Sequence, residues 1–355
     1  MEISAFHLTP YQLPLLRPWV STAGRIKERC GWLITLKTKS GVEGYGDCAP
    51  LPASGSESPA SAEKWLQATL PRLPGSTPGI SLRNLPEETT CPAARFSIES
   101  ALLDLLARQH QVPLHRLLSP MAQAQVLTNA SIGCLDQEVK NSAIQATERG
   151  FRLLKLKVGM GKAKDELAQL KNLIQQLPAG TQLRLDANRA WTSREAYLFI
   201  EGLVGLPIES LEEPLQEPNP SELEALQAAA PFDLAMDESL QQFIKSNPIS
   251  RLPVKRLIAK PTLLGGMIPC MTLAKEATKA GVTTIVTSTL ESAAGIWAAA
   301  QLAAAVDAIN GQNIHGLATS SWFKKDLAQP PLISDGILHL GSSPGSGFIP
   351  GKSAG

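Results

Sequence analysis

A chain of 355 residues that is 43% hydrophobic and 18% charged has the composition of a folded globular protein, neither disordered nor membrane-embedded, and exceeds the size of one ordinary core. Thirty-three basic residues against thirty-two acidic ones leave a formal net charge of +1, too weak a field to gather nucleic acid or an anionic membrane surface. Neither is expected as a partner.

In chain order, the amino terminus MEISAFHLTPYQLPLLRP has an early acid and repeated prolines. A secretory signal would need a basic stretch and then an apolar run, so a cytoplasmic location is expected. Residues 1 to about 50 alternate like strands, as in Trp32 to Lys37, with turn signals at Ser40-Gly41 and Gly44-Tyr45-Gly46, which predicts a mostly antiparallel sheet. The run Gly44 to Pro52, followed by Ser54 to Ser58, reads as a turn-rich loop; such a loop can also close over a neighbouring site. Short helical patches follow, and RFSIESALLDLLARQ, with Phe96, Leu103 and Leu106 among its apolar positions, predicts a strong helix. Cys30, Cys48, Cys91, Cys134 and Cys270 are odd in number, scattered and without a Cys-x-x-Cys pair, which argues against a disulfide framework or a thiolate zinc site.

From about Val126 apolar strands alternate with amphipathic helices, the pattern of β/α units around a parallel sheet. The strand candidates are VLTNASI, LLKLKVG, QLRLDAN, IESLEEP, DLAMDES, RLIAKP, TTIVTST and NIHGLAT. Eight strands at intervals of roughly twenty-five residues predict a closed barrel better than an open doubly wound sheet. The apolar window Ala293 to Ile309 carries Gln301 and Asp307 and is expected as an outer barrel helix, not a membrane span. The expected division is an α+β unit over 1–125, the barrel over 126–320, and a tail over 321–355 that contains ILHL and packs back on the first unit.

The charged residues fall at one end of those strands. Lys155 and Lys157 close the second, Asp186 the third, Glu212 the fourth, Asp237 the fifth and Lys260 the sixth. Residues two apart on a strand share a face, so Lys155 and Lys157 point the same way. Taken singly, each signal has an ordinary explanation: Lys-x-Lys as a solvated strand face, Asp-Ala-Asn as a turn, Glu-Glu-Pro and Asp-Glu-Ser as helix entry. The ordered series does not, because a barrel interior is otherwise filled with apolar side chains and charges placed there need one another. Three carboxylates from successive strands make a hard oxygen site suited to Mg²⁺ or Mn²⁺. The histidines form no His-Glu-x-x-His pattern, and Gly-x-Ser-x-Gly is absent. Gly159-x-Gly161-Lys162 and Gly265-Gly266 read as loop geometry and not as phosphate cradles.

On KLKVG, LDANR, LEEP, MDES and AKPTLLGG in this order, with ESALLDLLA near Glu99, the sequence resembles the enolase superfamily and its muconate-lactonizing subgroup. The resemblance implies an α/β fold, a (β/α)₇β barrel with an α+β capping domain. It makes Asp186, Glu212 and Asp237 the metal ligands and sets the catalytic Lys157 and Lys260 on opposite faces of a small carboxylate substrate. Glu212 is chosen over Glu213 because the family's ligand lies two before the proline. Lys155 would contact the substrate carboxylate or lower the neighbouring amine's pKa. APLP with its Ser/Glu-rich sequel, RLDANR and STLESAAG are similar to the o-succinylbenzoate synthases of menaquinone and phylloquinone synthesis, although Ala53-Ser54-Gly55 stands where that family carries an aromatic residue. Arg184, Asn188, Ser288, Thr289 and Gly316 are the corresponding candidates for substrate contact. Related reactions share the lysines: racemisation of N-acylamino acids, dipeptide epimerisation and muconate cycloisomerisation. A dipeptide epimerase typically holds its substrate ammonium with Asp-x-Asp at the end of the seventh strand, where this chain has Ser288-Thr289-Leu290. A non-catalytic metal-binding protein of the same fold is a further alternative, and every ligand and lysine is retained. The sequence leaves the oligomeric state open.

Overall fold

Alternating side chains and the turn at Ser40-Gly41 produce a three-stranded antiparallel sheet, β1 (Ile3–Ser21), β2 (Gly24–Thr38) and β3 (Glu43–Cys48). The structure is a computed structural model and describes residues 1–21, 24–87 and 89–351. Ile3, Ile34, Leu36 and Cys48 pack against the helix Pro92–Gln109. Glycine permits that approach: a Cβ at Gly46 would stand 1.8 Å from the Ser97 carbonyl.

Acids tie this helix to other segments through backbone N–H groups that a helix start leaves unpaired. Glu57 accepts from Ala93 and Ala94 at 3.1 and 2.9 Å. Glu99, fully buried and paired with Arg95 at 3.1 Å, accepts from Met267 and Ile268, the first residues of the barrel helix Met267–Lys279. The acid therefore caps a helix it does not belong to and joins the cap to the barrel. Gly266, at φ +155°, leaves room for it, since a Cβ there would lie 2.1 Å from the Glu99 carboxylate. We expect Gly266→Ala to cost roughly 2 to 4 kcal/mol through overpacking and loss of that cap, read as a lower midpoint in urea unfolding. A wild-type midpoint would contradict this account of the joint.

The barrel strands are β4 (Gln125–Thr128), β5 (Ala130–Cys134), β6 (Leu153–Lys157), β7 (Gln182–Asp186), β8 (Ile208–Glu212), β9 (Asp233–Met236), β10 (Arg256–Ala259), β11 (Thr283–Val286) and β12 (Ile314–His315). β5 to β11 form one parallel sheet in chain order. Closure comes through β12, which pairs with β4, while Gly316 just beyond it bridges Thr287 at the end of β11. The predicted strand VLTNASI is split into β4 and β5 at Asn129, whose N–H turns to the His315 carbonyl at 2.8 Å. Each predicted barrel strand is found, and the ring has eight positions with β4 and β5 as one.

Inside the barrel, Ala235, Ile258 and Ile285 form an apolar cluster. Toward the amino ends of the strands lies an ion-paired network: Arg184 to Glu209 at 3.0 Å, Arg256 to the same carboxylate, and Arg256 to Asp233 at 3.0 Å. The two guanidinium groups hold the Glu209 carboxyl down at about 2 although its burial works the other way.

After residue 320 the chain forms the hairpin β13 (Leu332–Ser334) and β14 (Ile337–His339), with β14 antiparallel to β4. Gly345 then bridges Pro113, and Ser346 donates its N–H to Asp104 of the helix Pro92–Gln109. The tail so contacts both the barrel and the cap. Ala293–Asn310 is a buried helix packed against β3 and Met267–Lys279; among the described residues no helix is long and apolar enough to cross a membrane. All five cysteines are unpaired.

Candidate active site

Counted round the ring from β5, β6 is second and β10 sixth, so their carboxyl ends face each other across the barrel mouth. Lys155 and Lys157 come from β6 and Lys260 from the residue after β10; Asp186, Glu212 and Asp237 fill the arc between them from β7, β8 and the end of β9. Strand register aligns Lys157 with Asp186 and Asp186 with Glu212. Burial of all three acids, at 3%, 0% and 5% exposure, would be costly without cations beside them.

Those cations are the lysines. Lys155 Nζ lies 3.0 Å from Asp186 Oδ2 and also donates to Glu212 Oε2. Lys157 Nζ is 3.9 Å from Asp186 Oδ2 and donates to Asn188 Oδ1. Lys260 donates to Asp237 Oδ2. Burial opposes charge on Asp186, yet Lys155 and Lys157 hold its carboxyl well below the usual range. In the same way burial disfavours the ammonium groups of Lys155 and Lys260, and the facing carboxylates more than compensate. Lys155, expected to touch substrate or to depress its neighbour's pKa, is the ion partner of two acids and also faces the cavity.

Among the described residues no three acid, cysteine or histidine side chains converge closely enough to hold an ion between them, and the Lys155 ammonium lies against both Asp186 and Glu212. The donor set nevertheless suits a hard divalent cation: every donor is a carboxylate oxygen, and buried Glu212 Oε1 has no hydrogen-bond partner, only the Arg184 guanidinium at 3.9 Å. Glu213 is turned away by its φ of +43°. It accepts from the N–H groups of Asp237 and Ser239 at 2.6 and 2.9 Å, and burial pushes its carboxyl up to about 7.

A cavity of about 100 Å³ lies at this mouth. Asn188, Ser288, Thr289 and Gly316 line it, together with Lys155, Lys157, Asp186, Asp237 and Lys260. Arg184 does not reach it. Alternation puts Arg184 on the same inward face as Asp186, but two residues lower, where it is fully buried and spends its donors on Glu209, Asn129 Oδ1 and the Ile314 carbonyl. It is a structural ion partner below the mouth and not a lining residue.

Sequence reasoning missed other walls of the cavity. Trp19, near the tip of the β1–β2 hairpin, stands with its ring centroid 5.6 Å from Lys157 Nζ. Glu238 accepts from Asn188 Nδ2 at 2.9 Å, and burial together with Asp237 raises its carboxyl to about 8. Its place beside Asp237 was the one signal that could have found it. Leu51, Ala53 and Ser54 close the cavity from the cap, the closing role that the turn-rich loop allowed. The glycine turn after β6 is filled from within, since Glu166 accepts from Gly159, Met160 and Gly161 at 2.8 to 3.0 Å.

Residues 7–119 match the N-terminal domain profile of mandelate racemase / muconate lactonizing enzyme, and residues 138–352 the enolase C-terminal domain-like profile. A hydrophobic dipeptide epimerase of Enterococcus faecalis is 26% identical over 86% of this chain and 88% of its own length. An o-succinylbenzoate synthase of Pasteurella multocida is 28% identical over 85% of this chain and 86% of its own. The fold superposes with a TM-score of 0.87 on a dipeptide epimerase from Enterococcus faecalis complexed with Mg and the dipeptide L-Leu-L-Tyr, at 24% identity and covering 98% and 99% of the two chains.

Proposed function

The chain belongs to the enolase superfamily, and on that premise we propose that it is an o-succinylbenzoate synthase, converting 2-succinyl-6-hydroxy-2,4-cyclohexadiene-1-carboxylate to 2-succinylbenzoate and water. The observation that carries this reading is the charge asymmetry of the mouth. The arc from β7 to β9 is acidic, whereas the arc from β11 to β12 presents Thr287, Ser288, Thr289, Gly316 and Thr319 to the cavity. The nearby Glu291 carboxylate is buried and consumed by Thr262 Oγ1 and by the Thr289 hydroxyl and N–H. A dipeptide's ammonium would find no free carboxylate among the described residues of that wall, whose hydroxyls and glycine suit a neutral ring or an acyl chain.

In this reading Lys157, as the free amine, removes the proton alpha to the substrate carboxylate. The C–H electrons enter the ring, the C–O bond on the neighbouring carbon breaks with its pair, and the departing hydroxide with the abstracted proton makes up one water. Lys260, across the ring from Lys157, presents its ammonium to the charge that develops on the carboxylate. Asp186, Glu212 and Asp237 would hold a Mg²⁺, which when bound supplies a Lewis acid to that same carboxylate. Trp19, beside Lys157, and the loop at Leu51 to Ser54 wall the cavity in which the proton is taken.

The same opposition of Lys157 and Lys260 favours a second reading, racemisation of an N-acylamino acid, whose acylated nitrogen also carries no charge. Purified protein with Mg²⁺ and the cyclohexadiene substrate should give the ultraviolet absorbance of an aromatic product. In deuterated water N-succinylamino acids and dipeptides should exchange their alpha protons with a kcat/KM lower by about two powers of ten, about 2.7 kcal/mol in transition-state stabilisation. Efficient exchange without aromatic product would overturn the synthase assignment.

A further inference from the structure

We propose that Arg29 is a positioning residue that latches the cap loop 49–54 and the loop after β11 together as two walls of one substrate enclosure. Arg29 sits in the hairpin between the exposed residues Glu28 and Cys30, yet is only 4% exposed itself. Among the described residues no carboxylate pairs with it. Its donors go to three main-chain carbonyls: Nε to Leu290 at 3.0 Å, Nη1 to Pro50 at 3.0 Å and Nη2 to Ala49 at 2.6 Å. One guanidinium so joins the residues immediately before Leu51 to Leu290, and Leu51 and Leu290 both line the cavity.

Both loops are pinned again at their far ends. Ser56 Oγ accepts from the Leu51 N–H, and Glu57 is bound to the start of the helix Pro92–Gln109. Beyond Leu290, Ser292 donates its N–H and its hydroxyl to Asp47 at 2.9 and 2.7 Å, and Tyr11 donates to the same carboxylate at 2.6 Å. Leu290 itself holds φ +61°, a left-handed conformation costly for a branched side chain. A guanidinium on its carbonyl offsets that cost. The planar fork of arginine is needed, because a lysine can satisfy few carbonyls spread this widely.

The inference rests on the cavity being the active site and not on which carboxylate it turns over. Arg29→Met, and Arg29→Lys as a milder variant, should raise KM about tenfold while kcat falls less than about threefold, since the reacting groups of the barrel are untouched. Amide hydrogen exchange across residues 49–56 should quicken in both. A lowered unfolding midpoint with unchanged KM and unchanged exchange would reduce Arg29 to a structural tie and overturn the proposal. If Arg29→Met fails to fold, wild-type KM and exchange in Arg29→Lys overturn it equally. If the wild-type protein turns over none of the substrates above, the functional reading fails, and the exchange measurement still decides the latch.

Discussion

Replacing Lys157 by alanine is expected to lower kcat by about three powers of ten, the scale of losing a general base, with little change in fold. The ion pairs make the two halves of this expectation separable. Lys157 is the outer partner of Asp186, 3.9 Å away, while Lys155 remains at 3.0 Å. Its loss therefore leaves no buried acid without a cation. Lys260→Ala should also cost turnover by orders of magnitude, but Lys260 is the lysine hydrogen-bonded to Asp237, so its removal should lower the unfolding midpoint more than Lys157→Ala does. Circular dichroism melts beside initial rates would read both. Near wild-type turnover in Lys157→Ala would show that the proton is taken elsewhere.

The sequence made the barrel legible because two periodic signals coincide in it: apolar strands at regular intervals, and a charged residue at the same end of consecutive strands. The spacing of the family's ligand from the proline separated Glu212 from Glu213, and the structure turns Glu213 away from the mouth. Depth is what alternation does not encode. Arg184 and Asp186 read as equivalent inward positions, and only the stacking of side chains in the closed barrel puts Arg184 a layer below among Glu209, Asn129 and Ile314. Contacts made across the chain were equally hidden. Trp19 and Lys157, or Arg29 and Leu290, lie far apart in sequence and share no motif, and the long hairpin that carries Trp19 and Arg29 over the mouth reads locally as an ordinary exposed pair of strands.

Asp186→Ala, Glu212→Ala and Asp237→Ala should each abolish turnover, and a chelator should do the same to the wild type, reversibly on adding Mg²⁺. Activity alone would not separate a lost ligand from a disturbed lysine, since Lys155 depends on Asp186 and Glu212 together. Thermal stability does separate them. A cation that binds only the folded protein stabilises it by about 2.7 kcal/mol at a hundredfold excess over its Kd, so Mg²⁺ should raise the wild-type midpoint by a few degrees. Glu212→Ala is the sharpest variant for this measurement. It removes the carboxylate whose Oε1 has no hydrogen-bond partner and leaves Lys155 paired with Asp186 at 3.0 Å; the protein should stay folded and lose the Mg²⁺-dependent rise. Full turnover in chelator-treated wild type, with a midpoint indifferent to Mg²⁺, would remove the metal from the mechanism and leave the three acids as partners of the lysines alone.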